Sequence, residues 1–263
     1  MLPKLIQIGG FYLPTYGVLV AIAFLTALWL AGKLGRAWAI NRDAILNLGV
    51  YCALAGIVGA KLFMIVVDPY YRNEPKQIFT FSTLQSAGIW YGGLITALLF
   101  AYFYMRREKL PFLKTSDAFA PGLAIGHGIG RLGCFAAGCC YGNPTSLPWA
   151  VTYTNPDANG APLNTPVHPT QIYEFVLETI ICLFLYRRAV RPHKDGQILA
   201  LYLVLSGIAR FGVEFLRHHD DANPLGGPLT MEQWISLAVI AVGVYLVTLK
   251  PVAARQQVAE RRK

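Results

Sequence analysis

The residues of this chain with the strongest chemical demand are arginines inside otherwise apolar stretches. The sharpest is Arg131, in Gly130-Arg131-Leu132-Gly133-Cys134-Phe135. Holding a guanidinium at membrane depth costs about 2.5–3.5 kcal/mol on insertion scales, so such a group is kept where it faces a polar cavity. There its planar fork favours phosphate or carboxylate through paired hydrogen bonds. The abundant phosphate of a membrane is a lipid headgroup, so the motif points to a bound phospholipid. His127 lies four residues before Arg131 and shares its helix face, and Cys134 and Gly138 continue the stripe. A second arginine, Arg210, lies four residues before Glu214 in another apolar run. Structural roles stay open for the same residues. Arg131 could be a buried ion pair with Glu174 or Glu214, and His127 a satisfied buried histidine. Gly126, Gly128, Gly130 and Gly133 could serve helix packing.

Helices must position these groups. The 263 residues are 55% hydrophobic and 14% charged, with mean hydropathy +0.44, whereas a soluble domain carries about 25% charge. Apolar runs occur at about 14–33, 44–67, 88–105, 117–142, 170–189, 196–216 and 229–249. Each approaches the roughly 20 residues that cross about 30 Å of hydrocarbon. The pattern predicts an all-α polytopic membrane protein with about seven transmembrane helices, in one domain over 1–263. It excludes a soluble helical protein.

The net charge of +9 is a topology signal. Sixteen of the 23 Lys and Arg fall near 33–42, 106–114, 187–194 and 250–263. Four, Lys4, Arg72, Lys76 and Arg217, fall on the alternate connections, with Arg217 at the interface. The positive-inside rule then puts the N-terminus outside and the C-terminus, with a tail at about 251–263, in the cytoplasm. A nucleic-acid patch would instead cluster on one element with aromatics interleaved. Met1 to Gly10 lacks the early apolar region of a cleavable signal, so the first run reads as an uncleaved anchor.

On this topology Arg131 lies about 21 Å along its helix from the entry near Asp117, in the outer half. Arg210 and Lys61 fall at similar heights. Tyr16, Tyr91, and His168 with Gln171, Tyr173 and Glu174, begin the runs that start outside. Polar groups thus converge on the outer leaflet, and the inner halves hold almost none. A long segment at about 143–167, with strand-like Trp149 to Tyr153, is expected to form a small periplasmic cap. The five cysteines are Cys52, Cys134, Cys139, Cys140 and Cys182. The adjacent pair Cys139-Cys140 could support metal or redox chemistry, yet small apolar packing is the commoner role of a buried cysteine. A metal set of His127, Cys134, Cys139 and Cys140 lacks a C-x-x-C pair.

Five segments in order carry a resemblance: Tyr16-Gly17; Tyr91-Gly92-Gly93-Leu94-Ile95; Gly130 to Phe135 with Gly142; His168-Pro169-Thr170-Gln171-Ile172-Tyr173-Glu174; and Ala209-Arg210-Phe211-Gly212-Val213-Glu214-Phe215. From about Leu13 to Ser236 the chain resembles the bacterial prolipoprotein diacylglyceryl transferases. The resemblance implies a seven-span enzyme of the inner membrane. Such an enzyme moves the diacylglyceryl group of phosphatidylglycerol onto the lipobox cysteine of a prolipoprotein signal peptide, forming a thioether and releasing glycerol phosphate. It implies no cofactor, and the expected state is a monomer. Arg131, Arg210 and Glu214 match the family's essential arginines and glutamate, and Tyr16 and Gly142 match its lipid site. The sequence departs from the pattern at three places: Tyr91 stands for a histidine, Cys134 for an asparagine and Cys139 for a glutamate.

The expected catalytic set is Arg131, Arg210 and Tyr91. Tyr16, Cys134, Cys139, Gly142, Glu214, His168, Glu174 and His127 are expected to bind substrate. Competing readings are a related membrane enzyme with another thiol or lipid, and a non-catalytic lipid-binding or transport protein. Transporters usually place polar sites near the midplane between inverted repeats, and no repeat is visible here. The topology is testable by thiol labelling in a background lacking the native cysteines. A cysteine at residue 155 should label from the outer face, and labelling only from the cytoplasm would reverse the orientation.

Overall fold

Each apolar run identified in the sequence forms a helix over most of its described residues. The computed structural model describes residues 2–8, 11–80, 83, 88–219 and 227–248. Among these residues are eight α-helices: α1 (Thr15–Ala37), α2 (Arg42–Val67), the short α3 (Pro69–Asn73), α4 (Trp90–Arg107), α5 (Phe112–Ala137), α6 (Thr170–Ala189), α7 (Gln197–Glu214) and α8 (Met231–Thr248). By length and composition α1, α2, α7 and α8 are apolar enough to cross a membrane, which agrees with an all-α membrane protein. The expected tail at 251–263 lies outside the described residues.

The chain divides into two compact units, residues 35–115 and residues 1–34 with 116–263. In the first, α2 packs on α4 through glycines. A β-carbon on Gly93 would lie 2.9 Å from the Gly56 carbonyl oxygen, and one on Gly92 would meet Phe63 and the Gly59 carbonyl. Close crossings of this kind are how apolar helices associate without a hydrophobic driving force. Lys61, on α2, donates to the Thr83 carbonyl at 2.8 Å, so a backbone acceptor meets the charge of this intramembrane lysine. Tyr91 sits at the start of α4, with its ring edge-on to Trp90 at 5.3 Å between centroids.

The second unit begins with an antiparallel hairpin, β1 (Lys4–Ile8) and β2 (Phe11–Pro14), that leads into α1. Gly122 of α5 approaches α1 so closely that a β-carbon would lie 2.6 Å from the Ala27 carbonyl oxygen. Gly128 likewise lies against Phe175 and Glu178 of α6. Asp117 is fully buried and accepts from the backbone of Gly196 and Leu199, both at 2.7 Å. It thereby caps the N-terminus of α7 from a different helix, satisfying donors that have no partner within α7. At the start of α8, Thr230 and Gln233 bond each other's backbone N–H at 3.3 and 3.0 Å, which is a capping box.

Between α5 and α6 the chain makes a small folded excursion. Strands β3 (Val151–Thr152) and β4 (Pro166–Val167) pair antiparallel. Single bridges join Gly142 to Arg217 and Pro144 to Val167. Tyr153, Ala161 and Val167 form its own apolar core. The expected strand at 149–153 is therefore shorter than its sequence pattern.

The apolar run expected to reach residue 142 ends as a helix at Ala137, and Gly138 is the physical reason. Gly138 has φ +78°. Its N–H bonds the Phe135 carbonyl at 3.3 Å, and the Cys139 N–H bonds the Cys134 carbonyl at 3.1 Å. This is a Schellman turn, which needs a left-handed residue after the helix. A β-carbon at Gly138 would also lie 2.7 Å from that of Ala158. Gly138→Ala should therefore lower stability by about 1–2 kcal/mol from backbone strain alone, read as a lower Tm in detergent. Gly130→Ala, where no atom lies within 4 Å, should leave Tm unchanged or raise it. Equal Tm values for the two variants would refute this account of the turn.

Candidate active site

Three guanidiniums converge on two buried carboxylates. Glu174, on α6, is 3% exposed. Arg131 Nε from α5 lies 2.5 Å from its Oε2, and Arg210 Nη1 from α7 lies 2.8 Å from its Oε1. Arg210 Nη1 is also 2.8 Å from Glu214 Oε2, as the i,i+4 spacing suggests. That contact is an ion pair without hydrogen-bond alignment. The third arginine is Arg217, just after α7. Its Nη1 is 3.9 Å from Glu174 and 4.0 Å from Glu214. The expectation that Arg217 is an ordinary interface residue fails: its side chain is 11% exposed, and Nη1 is buried without a hydrogen-bond partner. It lies in the network because the Gly142–Arg217 bridge pins its backbone to the excursion. Glu214 is further held by Thr230 Oγ1 at 3.1 Å and His219 Nε2 at 2.9 Å.

One turn along α6 lies a second, deeper acid that the sequence reading passed over. Glu178 is 2% exposed and bonds His127 Nδ1 at 3.2 Å and Ser206 Oγ at 3.0 Å. Arg131 Nε also points to His127 Nε2 at 3.2 Å. An arginine nitrogen only donates, so His127 Nε2 is the acceptor and the proton sits on Nδ1, facing Glu178. His127 is thereby a hydrogen-bonded histidine that helps fix Arg131. The spacing Glu174–Glu178 and the matching Ser206–Arg210 were the available signals.

Beyond Nε, Arg131 faces thiols, with Cys134 and Cys140 beside its guanidinium. The Schellman turn carries Cys139 and Cys140 back over Cys134, and the three sulfurs lie within 4.8 Å of one another. All three thiols are free and half-buried. The turn is anchored to the start of α6: Thr170 Oγ1 donates to the Cys140 carbonyl at 2.8 Å, and buried Gln171 donates to that of Cys139 at 2.7 Å. Gln171 also donates to the Tyr153 hydroxyl at 3.0 Å. Burial pushes the Tyr153 phenol up to about 12, so it remains neutral. Tyr16 borders the same cluster, close to the three cysteines and Arg131. Its ring lies 3.0 Å from where a Gly133 β-carbon would be.

The structure thus brings together Tyr16, His127, Arg131, Cys134, Cys139, Glu174, Arg210 and Glu214 from the expected set. It adds Arg217, Glu178, Cys140 and Ser206. Gly142 has a packing reason, since a β-carbon there would lie 2.5 Å from the Leu216 carbonyl oxygen. His168 turns to Tyr173, whose hydroxyl is 3.3 Å from its Nδ1 and 2.8 Å from Trp149 Nε1. It makes no contact with the arginines among the described residues. Tyr91 belongs to the other unit.

What the arrangement can do follows from its charges. Around Glu174 and Glu214 there are three fixed positive charges and two negative ones. One positive charge remains for an anion, next to half-buried thiols. This is the setting in which charge on a leaving phosphate is stabilised.

Comparison with known proteins agrees. The family described as "Prolipoprotein diacylglyceryl transferase" matches residues 3–249. A phosphatidylglycerol–prolipoprotein diacylglyceryl transferase of Clostridium tetani is 34% identical over 246 residues, covering 94% of this chain and 96% of that protein. One of Finegoldia magna is 34% identical, covering 91% and 92%, and one of Chromohalobacter salexigens is 30% identical, covering 93% and 90%. With its motifs, its helices and near full-length relatives in agreement, the chain belongs to the prolipoprotein diacylglyceryl transferase family.

Proposed function

We propose that this chain moves the diacylglyceryl group of phosphatidylglycerol onto the lipobox cysteine of prolipoproteins. It does so as a monomeric, seven-span transferase domain over residues 1–263 of the inner membrane. Its N-terminus and the cap at about 143–167 face outside, its tail at about 251–263 is cytoplasmic, and its site lies in the outer half. The observation that carries this reading is the third guanidinium: Arg131, Arg210 and Arg217 on only two carboxylates. The substrate sulfur attacks the glyceryl carbon, the carbon–oxygen bond to phosphate breaks, and the electron pair leaves on the phosphate of glycerol phosphate. That product carries one more negative charge than the lipid phosphodiester, so the arginines bind the transition state more tightly than the lipid. Arg131 and Arg210 hold the phosphate. Tyr16, Cys134, Cys139 and Gly142 border the lipid and thiol, and Glu174, Glu214 and His127 aim the arginines. His168 fixes the cap above them. His127 is a poor candidate base, because Arg131 occupies its acceptor nitrogen. That leaves the Tyr91 hydroxyl, at the family's histidine position, to orient the thiol or relay its proton.

Arg131→Lys and Arg210→Lys should each lower transfer to a lipobox peptide about 100-fold, nearly as much as Ala. A point charge cannot reproduce a planar fork, and one lost donor to a developing oxyanion costs about 10²–10³ in rate. Near-normal transfer by both lysine variants would remove phosphate recognition from these residues. Arg217→Ala should cost roughly tenfold, on the order of 1.4 kcal/mol. Glu174→Gln leaves buried guanidiniums uncompensated and should destabilise by about 3–5 kcal/mol, measured by thermal unfolding.

The base assignment is read separately, from transfer rate against pH. Tyr91→Phe should lose more activity than His127→Ala, and Tyr91→His should restore it with a profile rising through the histidine range near pH 6.5. Full activity in Tyr91→Phe with collapse in His127→Ala would exchange the two roles.

A further inference from the structure

Three thiols held within 4.8 Å of one another are more than apolar packing requires. Tetrahedral zinc with sulfur at about 2.3 Å sets its ligand sulfurs about 3.8 Å apart, so small side-chain rotations close the present cluster onto one ion. The backbone under the thiols is fixed. The Schellman turn at Gly138 sets Cys139 over Cys134, and Thr170 and Gln171 hold the Cys140 and Cys139 carbonyls. Cys140 itself adopts φ +63°, a conformation that a side chain rarely takes and that tends to persist where a site requires it. The thiols are half-buried and so within reach of a ligand. Three thiolates on a divalent ion carry one net negative charge, and the flanking Arg131 and Arg217 are its complement.

We propose that Cys134, Cys139 and Cys140 bind one zinc ion whose fourth position receives the substrate cysteine. Three protein ligands with an open fourth position is the arrangement of catalytic rather than structural zinc. Coordination deprotonates a thiol outright, releasing its proton to water. The bound sulfur then attacks the glyceryl carbon of the lipid, and the phosphate leaves with the carbon–oxygen electron pair. No electron transfer is involved and no further reactant is required. Cys134 and Cys139 are two of the three places where this sequence departs from the family pattern, so the inference concerns this chain. It rests on the transferase reading above.

The experiment uses the full chain in detergent under reducing conditions, stripped with a chelator and reloaded with Zn²⁺ or Co²⁺. One metal per chain is expected, with thiolate-to-cobalt charge-transfer absorption. That absorption should vanish in Cys139→Ser and Cys140→Ser and persist in Cys52→Ser and Cys182→Ser. A lipobox peptide should change the cobalt ligand-field bands, and the same peptide with serine for cysteine should not. Chelation should lower transfer at least tenfold, with recovery on adding zinc. Full transfer by the stripped protein, with cysteine variants as active as wild type, overturns the zinc inference and leaves the transferase reading intact. A stoichiometric cobalt–thiolate signal in a protein that transfers nothing supports the metal site and sinks the transferase reading instead. Metal that binds without any response to the peptide thiol, or a disulfide between two of the three cysteines in the isolated protein, also overturns the proposal.

Discussion

The polar interior of the larger unit depends on one buried carboxylate. Glu174 lies within 4 Å of three guanidiniums, and without it Arg131 and Arg210 would be like charges held together away from water. With Glu214 it lowers that repulsion enough for the arginines to coexist, yet leaves one positive charge in excess. The site is therefore built with its anion-binding field in place. A preorganised field of this kind needs no rearrangement when charge develops during reaction. The cost is borne by the scaffold, since a buried charge network adds little net stability and becomes strongly unfavourable when one partner is removed.

The same helix start serves both halves of the site. Thr170 and Gln171, in the first turn of α6, hold the cysteine turn by its carbonyls. Glu174, one turn further on, holds the arginines, and Glu178, the next turn, holds His127. One rigid helix thus fixes the relative positions of the thiol cluster, the guanidiniums and the histidine behind them. Asp117 adds to this order by capping α7, the helix that delivers Arg210.

The helices were legible in the sequence because hydropathy over some twenty residues is a strong signal. The Arg210–Glu214 pair was legible because i,i+4 contacts are local. What was missed is either non-local or hidden by a cruder signal. The partner of Arg131 was half legible: Glu174 and Glu214 both stood open, and the packing of α5 on α6, close at Gly128, decides for Glu174, 43 positions away. Arg217 was counted as a surface charge because topology rules read number and side but not burial. The turn at Gly138 had its cue, a glycine closing a helical pattern. Hydropathy alone carried the run across it to Gly142, and with that the folding back of Cys139 and Cys140 went unseen.

Arg131 was first open to two readings, structural ion pair or ligand-binding cation, and the geometry removes the opposition between them. Its ion pair uses Nε, which faces Glu174 and His127. Cys134 and Cys140 lie close to the same guanidinium. Pairing through Nε fixes the plane of the guanidinium and so fixes where its outer donors point, which a freely rotating lysine ammonium could not do. Cys134 lies three residues further along the same helix, on the same face. A reaction that joins a sulfur to a carbon while expelling a phosphate needs an anion holder and a sulfur holder a short, fixed distance apart. In the function proposed above Arg131 takes the first part and the cysteines the second; Arg131 and Cys134 are neighbours on one turn of α5, and the ion pair with Glu174 holds the arginine in place.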